Sequence, residues 1–356
     1  MQRFDTPGHV RLLLHNPSGW AHVTCDTNAS TEVELVALSP ESEPAVEAAE
    51  VRCWKAGADD VVEIRIPEQH LAGWRALLGG SRSGVGVTLR CPPGSDLAVT
   101  SASADLVVSG DLGELRSQSA SGDVEVASLS GSSTVRTASG DVRLRWAGGN
   151  VEVATVSGDV RLEHAAGELF VRTMSGDVRI DRIDRSGERA TVRTVSGNAI
   201  LGQVDGDLDA EATSGDLRVG PLWRGVARLS SVSGDVTVSV ARGTLLAVDA
   251  SSVSGRSRSE IPLDAEPDSE GSILELRLRT VSGDIEIRRG PAVSPDPVQP
   301  ASPRANPTTD AADSTTDPAN PTTDPAVSTA DPAVSTADPA VSTADPGCPT
   351  TDPVTP

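Results

Sequence analysis

A short motif, T-x-S-G-D-V, recurs along the chain at nearly constant spacing, and this periodicity constrains the fold more than any other feature. Five of the nine intervals between its successive serines are 18 residues, and the others are 19, 21, 21 and 28. A repeat this short cannot bury a core by itself, so its copies must stack on one another. The serines are Ser103, Ser121, Ser139, Ser157, Ser175, Ser196, Ser214, Ser233, Ser254 and Ser282.

Between the motifs, apolar and polar residues alternate in short runs. Val142 and Leu144 alternate with Arg143 and Arg145, and a similar run follows a second glycine of the repeat, Gly149. Alternation with a period of two is typical of a half-buried strand. Each unit is therefore predicted to be a coil of two strands and two corners. Nine intervals at a strand spacing of about 4.8 Å give a β-solenoid about 45 Å long.

The glycine of the motif is predicted to form the corner, because glycine adopts positive φ without the steric cost that other residues meet. The aspartate after it is expected to accept hydrogen bonds from nearby backbone amides. The hydroxyl residue before the serine, such as Thr155, points inward by parity with Val153, and these hydroxyls are expected to bond to one another in a ladder. The predicted corner glycines are Gly122, Gly140, Gly158, Gly176, Gly197, Gly215, Gly234 and Gly283.

Three regions are predicted within the 356 residues, and the fold class is all-β. Residues 1–100 carry strand patterns without the repeat and form a β-rich capping region, with one short helix at 67–80. Residues 101–290 form the β-solenoid of ~18-residue two-strand coils, with a loop at 255–272 inserted before the last coil. Residues 291–356 hold 15 of the 25 prolines and no apolar periodicity, so they are expected to form a disordered tail.

The charge and the apolar content exclude several classes of function. The formal net charge is −21, and such an acidic chain lacks the basic patches that nucleic-acid binding requires. No segment approaches the roughly 18 apolar residues of a membrane-spanning helix, and the N-terminus lacks the apolar run of a signal peptide. The location expected by default is therefore cytoplasmic, with the cell surface left open.

Three segments carry a resemblance to a known family: "FDTPGHVRLLLHNPSG" at 4–19, "CPPGSDLAVTS" at 91–101 and the repeated T-x-S-G-D-V. Together they resemble a bacterial family of unknown function whose members are named "putative adhesin" or β-strand-repeat domains. The resemblance extends over about residues 1–290. It implies a β-solenoid core and no known catalytic activity.

A column of arginines is the first candidate binding site. Arg143, Arg161 and Arg179 occupy equivalent outward positions in successive coils. Flanking acids, such as Asp159 and Glu163 around Arg161, are expected to neutralise them. The alternative is that their planar guanidinium groups bind an anionic glycan or an acidic partner, since guanidinium suits carboxylates.

Two aromatic residues are further candidates. Trp146 lies one coil from His164 and either packs against a sugar ring or seals a corner of the solenoid. Phe170 points outward by parity with Leu169 and is a candidate contact for a partner.

Metal binding and catalysis have weaker support in the pattern. The repeated aspartates form a column, as in calcium-binding repeats, but arginines at the next outward position favour a solvated charge ladder without a metal. No histidine pair has metal-ligand spacing, and repeated serines and aspartates in equivalent positions do not form a unique catalytic group.

We therefore expect a protein that is not an enzyme and has no cofactor. Its expected function is that of an adhesin-like scaffold or binding module, which presents solenoid faces to a protein or polysaccharide partner. The first alternative is a Ca²⁺-dependent surface adhesin, and the second is an enzyme with its site near the 255–272 loop.

Overall fold

The computed structural model describes residues 1–26, 29–68, 84–184, 189–261 and 272–291. Most of them form strands of two large sheets, of 14 and 13 strands, which we name the first and the second sheet. The predicted all-β solenoid is confirmed. The helix predicted at 67–80 and most of the 255–272 loop and of the tail lie outside the described residues.

The N-terminal part contains seven strands, a 3-10 turn at Pro40–Ser42 and one short helix. Within the described residues, no helix has the length and apolar character that crossing a membrane requires. The elements are β1 (Gln2–Asp5), β2 (Val10–His15), β3 (Ser18–Cys25), β4 (Ser30–Ala37), α1 (Glu43–Glu47), β5 (Glu50–Ala56), β6 (Asp59–Arg65) and β7 (Val85–Cys91).

The strands of the repeats alternate between the two sheets. Even-numbered strands from β8 to β22 belong to the second sheet and odd-numbered strands from β9 to β23 to the first. They are β8 (Asp96–Thr100), β9 (Ser103–Leu112), β10 (Leu115–Ser119), β11 (Val124–Leu129), β12 (Ser133–Thr137), β13 (Val142–Ala147), β14 (Val151–Ala154), β15 (Val160–Ala165), β16 (Leu169–Thr173), β17 (Val178–Ile183), β18 (Ala190–Thr194), β19 (Ala199–Val204), β20 (Leu208–Ala212), β21 (Leu217–Leu222), β22 (Gly225–Ser231) and β23 (Val236–Val240).

Every pair of neighbouring strands within this series is parallel, and equivalent residues of successive repeats lie side by side. Val142 pairs with Val160, and Val160 pairs with Val178. The core between the sheets is filled by the inward residues that the alternation predicts, such as Leu144 and Leu162, both almost completely buried. The 18-residue period therefore sets the register of both sheets.

The order of the coils is reversed at the C-terminal end. The last four strands are β24 (Thr244–Ser252), β25 (Ser257–Ser259), β26 (Ser272–Thr280) and β27 (Ile285–Arg289). β26 pairs with β22 on one side and β24 on the other, and β27 lies between β23 and β25. The coil that is last in the sequence is therefore inserted between two earlier coils.

The N-terminal end shows the same reversal. β2 lies between β6 and β8, and β3 lies between β7 and β9, all in parallel. The antiparallel strands β1, β4 and β5 complete this end. Both sheets thus continue across residue 100, and a separate capping domain at 1–100 stays a prediction.

The corner glycines differ from the prediction in their conformation. None of the eight has a positive φ; among the described glycines, positive values occur elsewhere, as at Gly206 and Gly225. The constraint is close approach instead: a Cβ atom on Gly158 would lie 1.9 Å from the carbonyl oxygen of Gly140 in the preceding coil. Glycine is required because the backbones of successive coils come into contact at this corner.

The inward hydroxyls bond within their own turn, so the expected hydroxyl ladder is wrong for most of them. Thr155 is buried, as its parity predicts, but its Oγ1 accepts the amide proton of Gly158 at 3.0 Å. Thr137 and Thr173 accept from Gly140 and Gly176 in the same way. In these coils the hydroxyl oxygen accepts from the amide three residues ahead, whereas Ser231 and Thr280 donate to the carbonyls of Gly215 and Gly234 in the neighbouring coil.

The aspartates of the motif link the coils. The Oδ1 atom of Asp159 accepts the backbone amide proton of Asp177 at 2.9 Å, while the amide of Asp159 donates to Asp141 at 3.0 Å. Asn198 substitutes in this series, and its Oδ1 accepts from the amide of Asp216. We name this set the Asp column: Asp105, Asp123, Asp141, Asp159, Asp177, Asn198, Asp216, Asp235 and Asp284.

The corner geometry predicts that Gly158→Val destabilises the protein far more than Asp159→Asn. The valine side chain meets the backbone of Gly140, which should cost at least about 1–3 kcal/mol. The Asp159→Asn change should stay within about 0.5 kcal/mol, because an asparagine carbonyl accepts the same bond. The free energy of unfolding in denaturant measures both. A loss for Asp159→Asn as large as that for Gly158→Val would contradict this explanation.

Candidate functional site

The three candidate arginines lie side by side on the outer face of the first sheet. Arg143, Arg161 and Arg179 pair in register on β13, β15 and β17. Arg143 donates from Nη2 to Oδ2 of Asp141 at 2.8 Å, and Arg179 donates from Nε to Oδ1 of Asp181 at 2.9 Å. The two outer arginines are therefore neutralised by acids on their own strands, as expected.

Arg161, in the middle, does not follow the expectation. Within the described residues, no carboxylate oxygen lies within 4.0 Å of its guanidinium group. Asp159 accepts a backbone amide through Oδ1, and the Glu163 carboxylate lies 3.9 Å from Nε of Arg145 on the neighbouring strand. Arg161 is thus an exposed cation without an ion pair between two arginines that have one.

A shallow groove borders the Arg161 side chain. Its lining includes Glu125, Arg143, Arg145 and Glu163, from β11, β13 and β15. The groove crosses neighbouring strands of the first sheet and is partly open to solvent, so it suits an extended chain that lies along the sheet better than a small molecule that needs an enclosed pocket.

Trp146 lies at the opposite corner of the coil from the T-x-S-G-D turn. Its ring is half-buried and meets the ring of His164 edge-on, with 6.4 Å between centroids. A Cβ atom on Gly148 would lie 2.4 Å from the indole, so the glycine leaves room for the ring. These contacts are those of a sealed corner, and sugar binding by Trp146 stays a prediction.

An ion cluster continues this corner. The Nε2 atom of His164 lies 2.5 Å from Oδ2 of Asp184, and Nε of Arg182 donates to Oδ1 of the same carboxylate at 2.6 Å. Burial raises the pKa of Asp184, but the hydrogen bonds from Arg182 and His164 outweigh this effect, and the pKa falls below its ordinary value of 3.8. The Asp184 carboxylate is therefore held in its charged form.

Phe170 does not join the arginine site. It lies on β16 of the second sheet, in register with Glu152 and Thr191, and is half-buried. Its outward position agrees with the parity argument. The arginines belong to the first sheet, so the structure does not assemble the five candidate residues into one surface.

The aspartates do not form a metal site in the part of the chain that the structure describes. No group of three or more histidine, cysteine or acidic residues there is close enough to share a metal ion. The reason is geometric, because each Oδ1 atom of the Asp column is directed at a backbone amide of the next coil. Most of the 255–272 loop, the suggested enzyme site, is not among the described residues.

The sequence analysis missed a column of exposed apolar residues. The variable position of the T-x-S-G-D motif is Val156, Met174 and Val195 in three successive coils, and all three side chains are exposed. The signal was present in the motif, since this position is apolar in most repeats although it lies on a turn. The prediction used only the constant residues of the motif, so these apolar residues were not considered.

The comparisons with known proteins identify a family. The model of the family described as Toastrack DUF4097 matches residues 55–288, about two thirds of the chain. The resemblance suggested for residues 1–290 is confirmed, with the match itself beginning after the 4–19 segment. Among curated proteins, no significant match is found.

Two solved structures align with most of the chain at low similarity. A "putative cell adhesion protein" from Clostridium sporogenes ATCC 15579 covers 80% of this chain and 94% of its own, with 10% identity and a TM-score of 0.23. A "putative adhesin" from Bacteroides fragilis NCTC 9343 covers 80% and 95%, with 13% identity and a TM-score of 0.34. At these TM-scores, neither alignment supports an argument about fold or function.

If the Asp column is structural, calcium should not affect stability. We expect the thermal midpoint of the full chain to be the same in EDTA as in millimolar Ca²⁺, because the carboxylates already accept backbone protons. A midpoint that rises with calcium concentration would show that the described aspartates bind the ion and would favour the calcium-dependent adhesin.

The ion cluster predicts a pH dependence. Because the folded-state pKa of Asp184 is lowered, its contribution to stability is present above the ordinary value of 3.8 and is lost as the pH falls through the folded pKa. The Asp184→Asn variant should therefore melt below the wild type near neutral pH, and the difference should shrink toward zero in acid. Thermal melts across this range measure it.

The matched control for this titration is Glu163→Gln, which removes an exposed carboxylate outside the cluster. A pH-dependent difference as large for Glu163→Gln as for Asp184→Asn would contradict a specific role of the cluster.

Proposed function

We propose a function from the premise that this chain belongs to the Toastrack DUF4097 family: it is a non-catalytic binding scaffold that holds an acidic partner along the outer face of the first sheet. The partner class that we favour is an acidic polysaccharide with spaced carboxylates. The observation that carries the proposal is the unpaired guanidinium group of Arg161, exposed between Arg143 and Arg179.

The arrangement of the groups supports binding of an extended chain. The three arginines lie on adjacent strands of a sheet, and these strands are about 4.8 Å apart and are held on both sides by parallel neighbours. A guanidinium group donates two parallel hydrogen bonds to a carboxylate. Binding therefore needs little rearrangement of the protein, which limits the entropy lost on association.

The Asp column limits the charge of the partner. Asp141, Asp159 and Asp177 lie two residues before the arginines, immediately ahead of the same strands, and repel a dense polyanion. This proximity disfavours nucleic acids and highly sulfated chains. A polysaccharide with one carboxylate for several uncharged groups can place that carboxylate on Arg161 and keep its remaining hydroxyls near the acids.

The surface of the described residues supports a non-catalytic role. Its concave parts are open clefts, and the one beside Arg161 contains arginines and glutamates but no histidine or thiol. Catalysis requires a nucleophile or a general base beside groups that stabilise the transition state. The carboxylates of the repeated Asp residues accept hydrogen bonds from backbone amides of the next coil.

The test compares Arg161→Gln with Arg116→Gln, which removes the same charge from the second sheet. Binding of polygalacturonate to the full chain is measured by calorimetry, with the polymer methyl-esterified so that only a minority of its sugars keep a free carboxylate, and with neutral dextran as the control ligand. Loss of a charged hydrogen bond should weaken binding about tenfold or more for Arg161→Gln, with little change for Arg116→Gln. The melting temperature of Arg161→Gln should equal that of the wild type, because no described acid depends on this arginine.

Equal binding by the two variants would contradict the proposed site. Absence of any binding of polygalacturonate by the wild type would contradict the polysaccharide class and favour a protein partner.

A further inference from the structure

An unbroken row of residues at the variable position of the motif lies on the outside of the T-x-S-G-D corner. Its large apolar members are between 42% and 80% exposed. We name this row the corner stripe. In spatial order it consists of Ala120, Ala138, Val156, Met174, Val195, Thr213, Val232, Val281 and Val253.

Backbone hydrogen bonds hold the residues of the corner stripe one strand spacing apart. The amide of Ser175 donates to the carbonyl of Val156 at 2.9 Å, and the amide of Ser196 donates to the carbonyl of Met174 at 2.8 Å. The same bond recurs along the stack. Eight intervals at about 4.8 Å make the corner stripe about 38 Å long.

The fold does not require apolar residues at this position. The turn is held by the buried Thr155 hydroxyl, by Gly158 and by Asp159, and the Val156 side chain packs against none of the core. Thr213 occupies the same position in another coil. Single exposed apolar residues are ordinary, but a continuous row of them is typical of an interaction surface.

The two flanks of the corner stripe carry opposite charges. On the side of the first sheet lies the Asp column. On the side of the second sheet, the residue before the inward hydroxyl is acidic in one coil, at Glu211, and arginine in four: Arg136, Arg172, Arg193 and Arg279. Two of these coils hold charges without an ion pair among the described residues on both flanks, namely Arg172 with Asp177 and Arg279 with Asp284.

We propose that the corner stripe binds the corner stripe of a second copy of this chain, with the two chains parallel and related by a two-fold axis that runs along the stripe. Such an axis exchanges the left and right flanks of the facing copy. The arginine flank of each copy then meets the Asp column of the other, so Arg172 faces Asp177 of the second copy at the same level.

The geometry excludes the antiparallel pairing. A two-fold axis across the stripe keeps each flank on its own side, which would bring Asp column against Asp column and arginine against arginine. It also disfavours an anionic lipid surface, because the Asp column would lie against the headgroups. A second copy also has the same strand spacing, so each coil of one corner stripe lies opposite a coil of the other.

The size of the surface is sufficient for a stable dimer. Two sheets about 10 Å apart, together with their flanking side chains, make the corner about 20 Å wide. Over about 38 Å of length this gives about 760 Å² for each copy, close to the roughly 800 Å² per partner of a standard interface.

The first experiment measures the mass of the full chain by sedimentation velocity. The wild type should sediment as a dimer, and the triple variant Val156→Glu, Met174→Glu, Val195→Glu should sediment as a monomer with an unchanged melting temperature. The matched control is Val36→Glu, Ile200→Glu, Ile273→Glu, which adds the same charges at exposed apolar positions elsewhere and should remain a dimer. A monomeric wild type at about 100 µM, roughly a hundredfold above a micromolar dissociation constant, or a dimeric stripe variant, would overturn the proposal.

The second experiment tests the charge pairing across the axis. Arg172→Asp should weaken dimerisation by about tenfold over the two symmetric contacts, because it places a carboxylate beside Asp177 of the second copy. Arg172→Lys keeps the charge and should dimerise as the wild type does, and Arg52→Asp makes the same charge change at an exposed position outside the corner stripe. Dimerisation that is unchanged by Arg172→Asp, or weakened as much by Arg52→Asp, would overturn the parallel arrangement.

The third experiment tests the orientation with single cysteines. Val195 is the central member of the corner stripe, and Ala120 and Val253 are its ends. In the parallel dimer, Ala120→Cys, Val195→Cys and Val253→Cys should each form a disulfide with the same residue of the second copy under mild oxidation. Cross-linking of Val195→Cys alone would indicate the antiparallel dimer and overturn the proposal.

Discussion

Contact between the backbones of successive coils at the T-x-S-G-D corner is the constraint on which the rest of the structure depends. A Cβ atom at Gly158 would lie 1.9 Å from the backbone of Gly140, so this corner closes only around glycine. Its remaining polar groups are then satisfied locally: the amide of Gly158 by Thr155, and that of Asp159 by Asp141. Since nearly every coil meets these requirements, coils stack in one register, and the inward and outward columns follow from that register.

The reversed coil order at both ends is the part of the stack that this constraint does not determine. The Gly283 corner stacks on Gly234, and the Gly255 corner stacks on Gly283, although Gly255 precedes Gly283 in the sequence. The corner chemistry accepts any coil that carries the motif, and Asp284 bonds to Asp235 as well as a sequence neighbour would. The coil formed by β26 and β27 is thereby held between two others and cannot separate without breaking ladders on both sides.

The sequence predicts the local structure of each coil well, but it predicts poorly which coils lie side by side. Strand positions, burial parity and the 18-residue register follow from alternation and spacing, because each depends on residues close together in the chain. The φ of Gly158 could not be read in this way, since two requirements, positive φ and close approach, both select glycine. The insertion of β26 depends on which coil lies beside which, and the lack of an ion pair at Arg161 within the described residues depends on side-chain rotamers. The alternation of apolar and polar residues contains information about neither.

A repeat fold separates columns that the structure requires from columns that it leaves free, and the free columns are informative about function. Glycine, the inward hydroxyl and the Asp column recur because they hold the corner together, with Ala212 and Arg256 as single exceptions to the last two. The position of Arg161 is Glu125, Ile200 or Thr237 in other coils, so the sheet does not require arginine there. The variable position of the corner tolerates Thr213, yet it is aliphatic or methionine in nearly all other coils. The arginine column and the corner stripe lie on two different surfaces of the stack, and the fold requires neither. They favour two separate contacts, one with a ligand and one with a second copy of the chain.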